Sequence, residues 1–105
     1  MKIHITGRHL KLTPAIRSYV EAKFSKAEKY FDNIVWAQVT LSVEKRAHQA
    51  EVVLHAGRQT LRALAQAATL YAAIDLASDK VDGQLRKLKE KLKNRHKPGQ
   101  SAPEV

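Results

Sequence analysis

The sequence predicts an α+β domain: a four-stranded sheet with both helices packed on one of its faces, in the order β-α-β-β-β-α. Three observations predict it. Four segments alternate apolar and polar residues with period two. Two segments repeat apolar residues every three or four positions. Three of the alternating segments follow one another across short polar turns, the pattern of an antiparallel meander. Each strand has a single apolar face and each helix a single apolar stripe, so both helices belong on the same side and the other face of the sheet stays wet.

The first strand covers residues 2–6, with Ile3 and Ile5 on one face and Lys2, His4 and Thr6 on the other, and Gly7 is expected to end it. Thr13-Pro14 starts a helix: Thr as N-cap and Pro at the first helical position, where its missing N–H costs nothing. Ile16, Val20, Phe24, Ala27 and Phe31 form its stripe over about five turns. Asp32-Asn33 breaks it.

From Val35 the period becomes two. Val35, Ala37, Val39, Leu41 and Val43 face the core, while Trp36, Gln38, Thr40, Ser42 and Glu44 face water. Lys45-Arg46 marks a turn. Ala50, Val52, Leu54 and Ala56 give the third strand, with Glu51, Val53 and His55 on its other face. Gly57-Arg58 turns the chain into a weaker fourth strand, Leu61, Ala63 and Ala65 inward, Thr60, Arg62 and Leu64 outward. Thr69 caps a long second helix whose stripe is Leu70, Ile74, Ala77, Val81, Leu85, Leu88 and Leu92. Gly83 lies inside it, and Pro98-Gly99 ends any helical pattern.

Length and composition narrow the function. The 105 residues suffice for one domain over 1–95 with a flexible tail over 96–105. With no cysteine, disulfides, thiolate metal sites and Cys nucleophiles are excluded. The first residues carry no apolar run of signal-peptide length, and no segment reaches the length of a membrane span, so a cytoplasmic protein is expected. Nineteen Lys and Arg stand against ten Asp and Glu, a net charge of +9 that favours polyanionic partners.

That charge is concentrated. Between Lys80 and Lys97 eight basic residues face two acidic ones, Asp82 and Glu90, which leaves most of the net charge in one segment. At 100° per residue Lys80, Lys87 and Lys91 line one flank of the helix stripe, and Arg86, Lys89 and Lys93 the other. Lys23 falls at the edge of the first helix's stripe, facing the groove between the helices. Lys26 and Lys29 lie further out, and Arg8 and Lys45-Arg46 sit in loops near strand ends. Together these predict a cationic ridge on the helical side. An ordinary solvated face alternates its signs; here nearly one sign is present, and its repulsion is relieved by a polyanion. Lysine point charges suit phosphate more than base edges, so backbone- and shape-based binding to folded RNA is expected. The strands lack the outward aromatic pair of sheet-type single-strand readers, and Trp36 alone is as suited to covering an edge of the core as to stacking on a base.

Two rival classes fit less well. For an enzyme, His4, His9, His48, His55 and His96 are the only imidazoles. His48 and His55, seven apart along a strand, lack metal-ligand spacing, and no nucleophile motif or Gly-rich phosphate loop occurs. No catalytic residue, metal, cofactor or small-molecule substrate is expected. The second helix has the composition of a membrane-surface helix, but its apolar stripe is needed to cover the sheet, so no membrane partner is expected. A general RNA-binding or protein-interaction module using the same basic helical face is the alternative.

Several blocks resemble a known family. Ile5-Thr6-Gly7-Arg8-His9, Thr13-Pro14-Ala15-Ile16-Arg17, Lys23-Phe24-Ser25-Lys26, Lys29-Tyr30-Phe31-Asp32, Val43-Glu44-Lys45, Tyr71-Ala72-Ala73-Ile74-Asp75, Asp79-Lys80 and Gln84–Lys91 are similar to the ribosome hibernation promoting factors, a family that includes the ribosome-associated inhibitor protein Y. The resemblance runs from about residue 1 to residue 95. It implies a fold like the double-stranded-RNA-binding domain and binding to 16S-type rRNA of the small ribosomal subunit, in the channel of mRNA and tRNA, where such proteins silence idle ribosomes. Among the family's basic contact positions it matches Lys23, Lys80, Lys87, Lys89 and Lys91. Arg is usual in the family where this chain has Gly83, and Asp where it has Thr69. The chain resembles the short form, which works with a separate ribosome modulation factor. Its tail from about His96 is intermediate in length between a minimal short form and protein Y, so promotion and hindrance of ribosome pairing are both compatible with it.

Overall fold

The computed structural model describes residues 2–26 and 34–94, with the backbone alone at residues 34, 35 and 92–94. Its elements are β1 (Lys2–Arg8), α1 (Pro14–Ser25), β2 (Ile34–Glu44), β3 (Ala47–Ala56), β4 (Gln59–Ala67) and α2 (Leu70–Asn94). The expected order is therefore the observed one, an α+β domain with a four-stranded mixed sheet. Of the first helix, Ala27, Phe31 and the Asp32-Asn33 break lie outside the described residues, as does the expected tail.

The strands lie side by side in chain order. β1 runs parallel to β2, so the segment between them is a crossover carrying α1. β2, β3 and β4 form the antiparallel meander, joined by two-residue turns at Lys45-Arg46 and Gly57-Arg58. Lys45 has φ 57° and Gly57 φ 63°, the left-handed conformation that tight hairpins require.

β1 is longer than expected. Gly7 does not end it: Gly7 pairs with Leu41 and Arg8 with Ser42, and the strand stops where His9 turns to φ 64°. Glycine is needed at position 7 for close approach rather than as a breaker. A Cβ there would meet the Leu10 carbonyl oxygen at 3.0 Å and the side chains of Leu10 and Leu12 at 3.1 Å.

Both helices begin on the threonines assigned to them. Thr13 Oγ1 accepts from the Ile16 amide at 3.1 Å, with Pro14 following. Thr69 Oγ1 accepts from the Ala72 amide at 3.1 Å. One core lies between the sheet and the helices. Val20 and Phe24 of α1 and Ala73, Ile74, Ala77, Val81 and Leu85 of α2 are buried against Ala37, Val39, Leu41, Val52 and Leu54. At about 25 cal/mol per Å² this apolar burial is the main force holding the layers together.

Candidate nucleic-acid interface

Four side chains join the two helices. Tyr19 Oη donates to Asp75 Oδ1 at 2.5 Å, Lys23 Nζ lies 3.1 Å from the same oxygen, and the Tyr19 ring meets Tyr71 edge-on at 4.8 Å. Lys23 also lies over the Tyr19 ring, 5.6 Å from its centroid. The hydrogen bonds from Tyr19 and Lys23 hold the Asp75 carboxyl below the usual carboxylate range. The bond to Asp75 raises Tyr19, ahead of burial and the carboxylate's charge, and Lys23's own bond to Asp75 raises Lys23. The Tyr71–Asp75 block is thus a helix-to-helix latch: Tyr71 and Asp75 grip α1 while Ala73 and Ile74 enter the core. Lys23 does face the groove, as expected, but its charge is matched there by a carboxylate.

On the other flank of α2, Lys80 Nζ donates to the Leu64 carbonyl and Gln84 Nε2 to the Arg62 carbonyl at 2.7 Å. The spacing explains the match. Residues four apart on a helix rise about 6 Å, and carbonyls two apart on a strand are about 6.6 Å apart. The two side chains cap the outward carbonyls of the β4 edge, which would otherwise template another strand. These contacts also show that α2 runs antiparallel to β4.

That direction distributes the remaining cations. Arg86, Lys87, Lys89 and Lys91 are exposed on the last described turns of α2, level with the start of β4 and the Arg58 turn. Among the described residues no carboxylate lies within ion-pair distance of Lys87, Lys89 or Lys91. Arg86 lies near enough to Asp82 for its charge to pull that carboxyl down, although burial raises it overall. Lys26 is exposed just past α1, and its charge reaches Asp75 and Asp82.

Arg8 and Lys45 are exposed at the opposite end of the sheet, because β1 and β2 are parallel and both finish there. From the start of α2 near that end to Lys91 the helix rises roughly 30 Å. The single ridge expected from the sequence is therefore divided: one cluster of free lysines on α2, two lysines engaged within the fold, and two cations at the far end. Sequence reasoning passed over Arg58 and Arg62, which the β3–β4 hairpin brings level with the α2 cluster; no one-dimensional signal reports that proximity. His4 and His55 lie on the outward face, as expected. His48 is turned inward, with a buried Nδ1 that has no hydrogen-bond partner among the described residues.

Comparison with known proteins places this arrangement. The family model described as sigma 54 modulation protein / S30EA ribosomal protein matches residues 3–93. The chain belongs to this family. It is 44% identical over 93 residues to the ribosome hibernation promoting factor of Escherichia coli K12, covering 89% of this chain and 98% of that one. It is 45% identical over 91 residues to the protein of the same name from Azotobacter vinelandii, covering 87% and 85%. Among solved structures the Thermus thermophilus protein Y N-terminal domain is similar, with a TM-score of 0.80 and 36% identity over 84% of this chain and 99% of that one. A ribosomal subunit interface protein from Coxiella burnetii shares the fold, with a TM-score of 0.79 at 24% identity over 86% of this chain and 99% of that one. Both solved structures share this chain's fold.

Proposed function

We propose that this chain is a cytoplasmic ribosome hibernation factor. It binds rRNA of the small subunit in the mRNA and tRNA channel and so silences idle ribosomes, with residues 1–95 as the binding domain and no catalytic step. The observation that carries the reading is the exposed lysine cluster Lys87, Lys89 and Lys91, to which no described carboxylate is matched, on a helix whose stripe from Leu70 to Leu88 is buried in the core. Membership of a family whose relatives are named for ribosome hibernation selects the ribosome among polyanions.

The lysines supply phosphate neutralisation and the rigid helix sets their spacing. Arg86 and Lys26 extend the cluster toward α1, and Arg58 and Arg62 extend it around β4. Arg8 and Lys45 would contact a second rRNA segment at the far end, which fits a domain lodged between two walls of a channel. Lys23 and Lys80 act within the fold and position these groups. A separate modulation factor is a further partner in this reading.

The test is ribosome co-sedimentation with Lys87, Lys89 and Lys91 reversed together to Glu. Loss of pelleting in a variant with unchanged circular dichroism is expected. Undiminished pelleting of that folded variant would move the site elsewhere.

A further inference from the structure

The outward face of the sheet carries side chains in rows set by strand register. Lys2, Trp36, His55 and Thr60 form the row nearest the α2 lysines, and His4, Gln38, Val53 and Arg62 form the next. Trp36 does not cover the core: it stands on the face opposite the buried Ala37 and Val39. Its ring stacks at 4.1 Å on His55 with a tilt of 30°, and His4 meets it edge-on at 6.1 Å. His55 Nδ1 lies 3.3 Å from Thr60 Oγ1, which steadies the imidazole. A register shift between Ile34 and Trp36 sits beside this column of rings, the kind of irregularity that re-aims a side chain. Among the described residues the nearest carboxylate on this face, Glu51, is two rows away, roughly 13 Å along the strands.

We propose that this face is a second RNA surface, built for a few unpaired nucleotides. Their bases extend the Trp36–His55 column, and their phosphates meet Lys2, Arg62 and Arg58. Partly exposed rings flanked by cations are the chemistry of single-strand binding, because every base has a π-face and every linkage a charge. A duplex hides its bases and would use only the cations. The surface is continuous with the α2 cluster. With Lys80 on Leu64 and Gln84 on Arg62, one further turn brings Lys87 level with Thr60, and the next brings Lys91 level with Arg58. A strand leaving the helix lysines therefore reaches the rings by rounding the β4 edge. The choice of RNA as the polyanion rests on the function proposed above; Arg58 and Arg62 border both surfaces, while Trp36, His55, His4 and Lys2 belong to this one alone.

Trp36 is the only tryptophan in the chain, so its fluorescence reports on this face alone. The full chain is titrated with a short single-stranded oligoadenylate and, separately, with a fully paired RNA hairpin. Emission is followed alongside anisotropy of labelled RNA. The single strand is expected to quench Trp36 strongly and the hairpin weakly. His55→Ala and Arg62→Gln, each on the open face, should each weaken single-strand binding by roughly tenfold. Reversal of the α2 lysines should abolish ribosome pelleting yet leave the quenching by a saturating single strand. Unchanged emission at saturation would overturn the proposal, as would equal quenching by hairpin and single strand, absence of single-strand binding, or wild-type affinity in both folded variants. None of these outcomes bears on pelleting, so the two readings fail separately.

Discussion

Two glycines show how little a residue's type says about its role. Gly83 lies within α2, and a Cβ there would meet nothing within 4 Å. Gly7 lies in β1, and a Cβ there would press on the Leu10 carbonyl at 3.0 Å. Gly83→Ala should therefore raise unfolding stability by about 0.5–1 kcal/mol through helix propensity alone. Gly7→Ala should lower it by about 1–3 kcal/mol, since the neighbour is backbone and yields poorly. Chemical denaturation of the two variants checks the contrast, and equal effects would contradict the packing described for β1. Gly83 was legible in the sequence as a helix-interior glycine. The constraint at Gly7 was not, because it comes from a loop folding back on the strand.

At the scale of elements, the two helices are held by side chains that a charge count assigns to solvent. The Tyr19–Lys23–Asp75 latch makes stability depend on pH in a stated direction. Asp75 is lowered from its ordinary 3.8, so its contribution is full above that value and is lost as pH falls through the depressed folded value. Tyr19 and Lys23 are raised from 10.0 and 10.5, so their contribution is full below pH 10 and is lost as pH rises through the raised values. Asp82, raised by burial, works against Asp75 on the acid side. Asp75→Asn should lower the melting temperature across the neutral range and flatten its alkaline decline; a pH series of thermal melts reads both. On the opposite flank, Lys80→Met keeps the aliphatic stem but frees the Leu64 carbonyl. It should cost about 1 kcal/mol and increase concentration-dependent association through the β4 edge, visible in analytical ultracentrifugation. Ribosome affinity should stay unchanged, and a large drop would show that Lys80 leaves the edge to contact phosphate.

For the whole molecule the distribution of charge sets the binding behaviour. Ribosome affinity should fall steeply with salt, with a slope near the number of phosphates neutralised. Removing Lys87, Lys89 and Lys91 together should reduce that slope by roughly two to three. Binding isotherms at several salt concentrations measure it, and a flat response in the native protein would point to apolar or base-edge recognition. The opposite placement of Arg8 and Lys45 adds an expectation of its own: neutralising them should weaken binding additively with the α2 lysines, because sites this far apart share no partners.

The sequence by itself determined the element order, the apolar faces, both threonine caps and the position of the lysine-rich helix. Each of these depends on residues near one another along the chain, through a period of 2 or 3.6 or a cap three residues away. Only the tertiary structure decided which cations are available. Lys23 meets Asp75 and Lys80 meets Leu64 across more than a dozen intervening residues. Trp36 finds its partner His55 only once β2 and β3 pair. Helical periodicity gives the side of a helix on which a charge lies; the packing of that helix against α1 and β4 determines what already occupies that side.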